Sequence, residues 1–178
     1  MTDQDDTEAL LTGAAPVLRN PASGTELPGG VRVFHDGAGQ GLIVEELAQR
    51  QLRLRAGLFA GSYLSLAVPI DDLEGLVRYC HLQFDLEAEA SRPITCFLRL
   101  NLSGQSESRV LHDAIVIARG VRRVCFDLSA FDLEAYHLDD AWLDIIFSRP
   151  ADVDIQIRQM EVSCADSAQM ATGQAVPA

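Results

Sequence analysis

Between Cys80 and Leu102 the chain alternates apolar and polar residues in two successive runs, interrupted only by the polar stretch 89–93. Side chains on an extended strand point alternately to opposite faces. Cys80, Leu82, Phe84, Leu86 and Ala88 therefore share one side of the first run, and Ile94, Cys96, Leu98, Leu100 and Leu102 share one side of the second. Runs of this kind, apolar on one face and wettable on the other, must line a sheet whose apolar side covers a core. The simplest pairing is a β-hairpin turning at 89–93. It sets Leu86 against Cys96 and Phe84 against Leu98 inside, and Asp85 against Phe97, Gln83 against Arg99 and His81 against Asn101 outside.

The same two-residue period predicts strands at 31–34, 42–46, 51–56, 63–68, 114–117 and 123–128, with 103–109 as a polar loop. Leu143, Ile145 and Phe147 then face inward on one strand and Val153, Ile155 and Ile157 on the next, joined by a turn at 150–152. Beyond Ile157 the apolar positions move to Met160, Val162 and Cys164, and this slip across Arg158 and Gln159 predicts a β-bulge. Residues 71–77 predict one or two helical turns capped by Asp71, and 131–140 a helical turn or irregular crossing. The glycines at 37, 39 and 41 read as a hairpin loop, because no helix follows to face a phosphate. About nine or ten strands with so little helix imply an all-β fold, an antiparallel two-sheet β-sandwich (jelly roll) with one or two short helical turns. The expected organisation is a flexible N-terminal segment over 1–26, the sandwich over 27–164 with order starting near Val31, and a disordered tail over 165–178.

Composition narrows the chemistry. The 26 acidic residues outnumber the 14 basic ones, for a net charge of −12, a balance that repels nucleic acid and anionic membranes. Every basic residue is arginine, which closes the lysine-dependent classes: phosphate-loop enzymes, Schiff-base catalysts and Ser-Lys dyads. The acidic, polar start carries no leader pattern and no apolar run is long enough to span a bilayer, so the expected compartment is cytoplasmic. Cys80, Cys96, Cys125 and Cys164 are too far apart for a zinc site and read as free thiols.

Catalytic signatures are missing. His35-Asp36 and His112-Asp113 are neighbours in extended segments, where adjacent side chains diverge, so neither makes a triad fragment. His137, Asp139 and Asp140 carry oxygen and nitrogen donors suited to a cation loop, but not at the spacing of a calcium-binding loop. A carboxylate pair for glycoside hydrolysis can be drawn from Asp85, Glu87 and Asp144. No cofactor is implied. For ligand binding, the polar and aromatic set Tyr79, His81, Gln83, Phe97, Arg99 and Asn101, joined by Trp142 and Asp144, combines rings for stacking on sugar faces with planar polar groups for hydroxyls. The same set also serves as plain solvated surface.

The segments 27–37, 56–66 and 141–144, which include Leu27-Pro28-Gly29-Gly30-Val31, Ala56-Gly57-Leu58-Phe59-Ala60-Gly61 and Ala141-Trp142-Leu143-Asp144, resemble an uncharacterised bacterial family of unknown function, over about residues 17–164. That resemblance implies no activity and no residue roles. The strand pattern is similar to galactose-binding-like and carbohydrate-binding-module jelly rolls, an analogy of architecture. The expectation is a non-catalytic binding module, an accessory or assembly component whose partner is another protein. A carbohydrate-binding module using the polar aromatic face is the alternative, and a carboxylate-dependent glycoside hydrolase the third reading.

Overall fold

A computed structural model describes residues 17–164 apart from Pro28, Gly39, Gln49, Ser106 and Glu107. The expectations for residues 1–16 and for the tail from 165 lie outside the described residues. Ten strands and two short helices follow in chain order: β1 (Val17–Arg19), β2 (Thr25–Glu26), β3 (Arg32–His35), β4 (Leu42–Ala48), β5 (Gln51–Ala56), β6 (Tyr63–Pro69), α1 (Leu73–Tyr79), β7 (His81–Gly104), β8 (Ser108–Asp127), α2 (Leu133–Tyr136), β9 (Leu138–Ser148) and β10 (Val153–Cys164). Every pairing is antiparallel. Strand pairing begins before the expected Val31, since β1 pairs with β4 and β2 with β3.

The expected hairpin at 80–102 does not form. Residues 81–104 are one continuous strand, β7, whose first half pairs with β10 and whose second half pairs with β9, while β8 accompanies both halves. Leu86 faces Met160 and Arg122 rather than Cys96, and Cys96 faces Phe147 and Ile115. The stretch 89–93 is a corner. The β7–β8 register shifts between Glu89 and Ile94, so the intervening residues leave their pairing with β8, although Ala90 still faces Ile155 on β10, and Pro93 needs no amide hydrogen to donate. The turn falls instead between Gly104 and Ser108, and the two short strands expected at 114–117 and 123–128 are parts of the single strand β8.

The corner folds one hydrogen-bonded sheet into two facing layers. The first layer runs β1-β4-β5-β10 to the first half of β7, and the second runs β2-β3-β6-β9 to the second half of β7, with β8 outermost in both. This is the expected two-sheet antiparallel sandwich. Its core is one cluster fed by the alternate positions of both layers, among them Phe84, Leu98 and Phe147 at 0 % exposure, and completed by Phe59, buried from the connection between β5 and β6. Burial of each such side chain is worth about 1.5–3 kcal/mol. The predicted bulge is present, with the β10–β7 register shifting between Ile157 and Gln159. Helix α1 is present too, one residue later than expected and capped by Asp72, whose carboxylate accepts the Gly75 amide. Among the described residues no helix is long and apolar enough to cross a membrane.

Candidate functional site

Because both layers turn their apolar sides inward, their outer faces look away from each other and differ in chemistry. On the first layer, arginine and carboxylate alternate across strands. Arg53 pairs with Asp154, Arg55 with Glu45, Arg123 with Asp85 and Arg158 with Glu89. Arg123 and the Gln83 amide hold the Asp85 carboxyl below its usual range. Exposed pairs of this kind contribute about 0–1 kcal/mol each and present a solvated surface.

The second layer's outer face is aromatic, with a small polar centre. Four strands contribute in register: Phe34, Ser65, Ile146 and Phe97 form one cross-strand row, and Arg32, Ala67, Asp144 and Arg99 form the next. Pro69, Trp142 and Asn101 form a third. Outward positions on β6 are small where those on its neighbours are large, so Ser65 and Ala67 lie at the bottom of a groove walled by Phe34 on β3 and Trp142 on β9. Two open depressions of about 540 and 500 Å³ share those two walls. One also touches Tyr63, Ser65, Arg99 and Asp144, and the other Arg32, Ala67, Pro69 and Asp140.

At the polar centre Asp144, only 3 % exposed, is held by its neighbours on β7. Arg99 donates through Nε at 2.8 Å and Nη2 at 2.7 Å, and Asn101 Nδ2 donates at 2.9 Å, all to Oδ2. Asn101 in turn donates to the Arg99 carbonyl at 3.0 Å, which fixes its amide orientation. Ser65 Oγ is buried without any hydrogen-bond partner. The wall is braced from β3. The Asp36 carboxylate accepts the amides of Ser62 at 2.7 Å and Tyr63 at 3.2 Å together with the Ser62 hydroxyl, tying the end of β3 to the start of β6. The Ser62 hydroxyl and these amides hold the Asp36 carboxyl below its usual range. Next to it His35 is buried edge-on against Phe59, its ring nitrogens each 3.0 Å from a carbonyl, of Gly37 and of Pro21.

The residues singled out from the sequence therefore divide. Phe97, Arg99, Asn101, Trp142 and Asp144 come together on the second layer. His81 and Gln83 sit on the opposite face, where His81 Nδ1 is 2.9 Å from the Tyr79 carbonyl and Gln83 donates to Asp85 at 2.8 Å. Tyr79 ends α1 beneath the Arg78 guanidinium, 5.4 Å from its ring centre. The face-to-face pairs His81–Asn101, Gln83–Arg99 and Asp85–Phe97 were consequences of the hairpin and fall with it. Asp85 and Glu87 are likewise separated from Asp144 by the thickness of the sandwich. His137 caps the end of α2, and among the described residues no three metal-ligating side chains form a cluster. Phe34, Tyr63, Ser65 and Ala67 were missed. For the three β6 residues the signal lies in the strand itself, whose outward positions carry no charge and shrink to serine and alanine, but only the β3-β6-β9 order reveals a groove floor with Phe34 as its wall.

A comparison with curated proteins returns no match to this sequence. Among solved structures the fold is similar to the enzymatically active domain of tailspike protein 4 of bacteriophage CBA120, at 10% identity over 83% of this chain with a TM-score of 0.56. This chain spans 21% of that domain. It is also similar to the CBM22-2 xylan-binding domain of Paenibacillus barcinonensis Xyn10C, at 9% identity over 78% of this chain and 94% of that one, with a TM-score of 0.51. At such identities both are likenesses of fold. In sequence, a family profile matches residues 11–170, and the chain belongs to that family, DUF6478, a family of unknown function.

Proposed function

We propose that the protein is a non-catalytic carbohydrate-binding module that takes glycan on the outer face of its second layer. The observation that carries this reading is the groove itself, lined by the aromatic residues Phe34, Tyr63 and Trp142 beside a hydrogen-bonded Asp144–Arg99–Asn101 centre. Sugar rings present apolar C–H faces to aromatic rings and hydroxyls to pinned, planar polar groups, so both halves of the chemistry are supplied. The jelly-roll likeness to a xylan-binding domain supports the reading at the level of architecture. The module is non-catalytic in this reading because Asp144 is engaged by Arg99 and Asn101, while Asp85 and Glu87 lie on the opposite face. The test is affinity electrophoresis in gels containing xylan, β-glucan, galactan or glucomannan. At least one polysaccharide retards the wild type, and Trp142→Ala and Phe34→Ala restore free migration while circular dichroism stays unchanged. No retardation by any of them sinks the proposal.

A specific feature favours a protein partner as a second reading. Among the described residues β8 pairs only with β7, so its other edge is open, and Val110, Val116 and Phe97 beside it are 44–53% exposed. A glycan-free pull-down that is lost on Val116→Lys distinguishes this edge from the groove.

A further inference from the structure

We infer that the groove holds a single unbranched, uncharged pyranose chain running along β6, with Ser65 and Asp144 reading the hydroxyls of its central rings. This rests on the glycan reading and names the ligand class and its direction. Direction follows from the floor. Tyr63, Ser65, Ala67 and Pro69 are successive outward positions of one strand, and the two depressions that meet at Phe34 and Trp142 lie one after the other along it. Six strand steps of about 3.3 Å make a floor of about 20 Å, the length of roughly four linked pyranose rings. Width follows from the walls. They rise from β3 and β9, the two neighbours of β6, so they stand about 9–10 Å apart between backbone centres, which admits one chain and no branch.

The polar groups are placed to be completed by such a ligand. Ser65 Oγ is 4 % exposed as a residue and has no partner, which is costly for a buried hydroxyl unless something else satisfies it. All three donors on Asp144 converge on Oδ2, leaving Oδ1 as an acceptor for a ligand hydroxyl. Ser65 and Asp144 sit on adjacent strands, one row apart, close enough for one ring or two linked rings to touch both. Charge decides the class. Glu26, Asp140 and Asp144 outnumber Arg32 and Arg99 around the groove, on a chain of net charge −12, so uronate or sulfated chains are repelled.

The test is isothermal titration calorimetry of the full chain against β-1,4-linked gluco-, xylo- and galacto-oligosaccharides of one to six units, and against oligogalacturonates of the same lengths. Affinity for a neutral ladder is expected to rise at least tenfold from one unit to four and to change less than twofold from four to six, with no saturable binding of the oligogalacturonates. Ser65→Ala is expected to weaken the tetramer about fivefold, the loss of one hydrogen bond. Ala67→Leu, which fills the floor, is expected to abolish tetramer binding. Should Ala67→Leu fail to fold, Ser65→Ala still decides. If no ladder and no polysaccharide binds, the glycan reading itself fails. A neutral ladder that binds equally at one and six units, a preference for oligogalacturonates, or binding unmoved by the Ser65 and Ala67 variants overturns this inference and leaves glycan binding standing.

Discussion

Removing the partly exposed partner of the central ion pair should cost more than removing the buried one. Asp144 has a side chain only 5 % exposed, whereas the Arg99 side chain is 44 % exposed. In Arg99→Ala the carboxylate loses two of its three donors and keeps only Asn101, while remaining largely buried in the floor of the face. Stranding a buried charge in this way costs about 3–5 kcal/mol, and water admitted by the lost side chain lowers that to about 2–4 kcal/mol here. In Asp144→Ala the guanidinium rehydrates in place, and Asn101 still donates to the Arg99 carbonyl at 3.0 Å, so no polar group is orphaned. The expected loss is about 1–2 kcal/mol, since hydrogen bonds to a charged acceptor are exchanged for bonds to water. Urea unfolding at pH 7, followed by circular dichroism, gives both values. The double variant should resemble Asp144→Ala rather than the sum. If Arg99→Ala is the milder substitution, or if the two losses add, Asp144 is not buried under the pair and the proposed rigidity of the groove centre is wrong.

Four further outcomes rest on the same structure. Glu46 is buried with Oε2 unpartnered, and burial raises its carboxyl above the usual range, so Glu46→Gln should stabilise the protein at pH 7 by about 1 kcal/mol and lose that advantage as the solution is acidified. A Cβ at Gly61 would stand 2.3 Å from Phe59 Cζ and 2.8 Å from Asp36 Oδ1, so Gly61→Ala should lower stability by about 1–3 kcal/mol and weaken the β3 brace of the groove wall, read by urea titration. The Cys96 thiol is buried and pushed up to about 12, whereas Cys125 is exposed, so a thiol reagent should label Cys125 first and reach Cys96 only on unfolding. Asp36 and Asp85, whose carboxyls are lowered, add an acid dependence. Their stabilisation is complete above the ordinary carboxylate range near about pH 4 and is lost as pH falls through their depressed folded values.

Strands were legible from the period of two alone, because the core face of each is decided by its own residues. Strand partners were not, since pairing depends on residues far apart in the chain. At 89–93 and at 104–108 the alternation breaks in similar ways, and only the second break is a turn. The difference lay in turn chemistry: Gly104 and the serines around it suit a reversal, while Ala90, Ser91 and Arg92 can continue as a bulged strand and Pro93 is tolerated at the corner. Because residues 89–93 form a corner and not a turn, the residues of the candidate face divide between two sides of the molecule. The bulge at Arg158 and Gln159 was legible because a phase slip is written in a single segment. Ser65 was not, because its burial is imposed by Phe34 and Ile146 from the neighbouring strands.

Trp142 is the only tryptophan of the chain and forms a wall of the groove, so its fluorescence reports directly on whatever fills that space. Titration with neutral β-1,4-linked tetrasaccharides should shift its emission saturably and shield it from acrylamide, with the same midpoint as the calorimetric binding curve. A tetrasaccharide that binds by calorimetry while Trp142 emission and quenching stay unchanged would contradict the account.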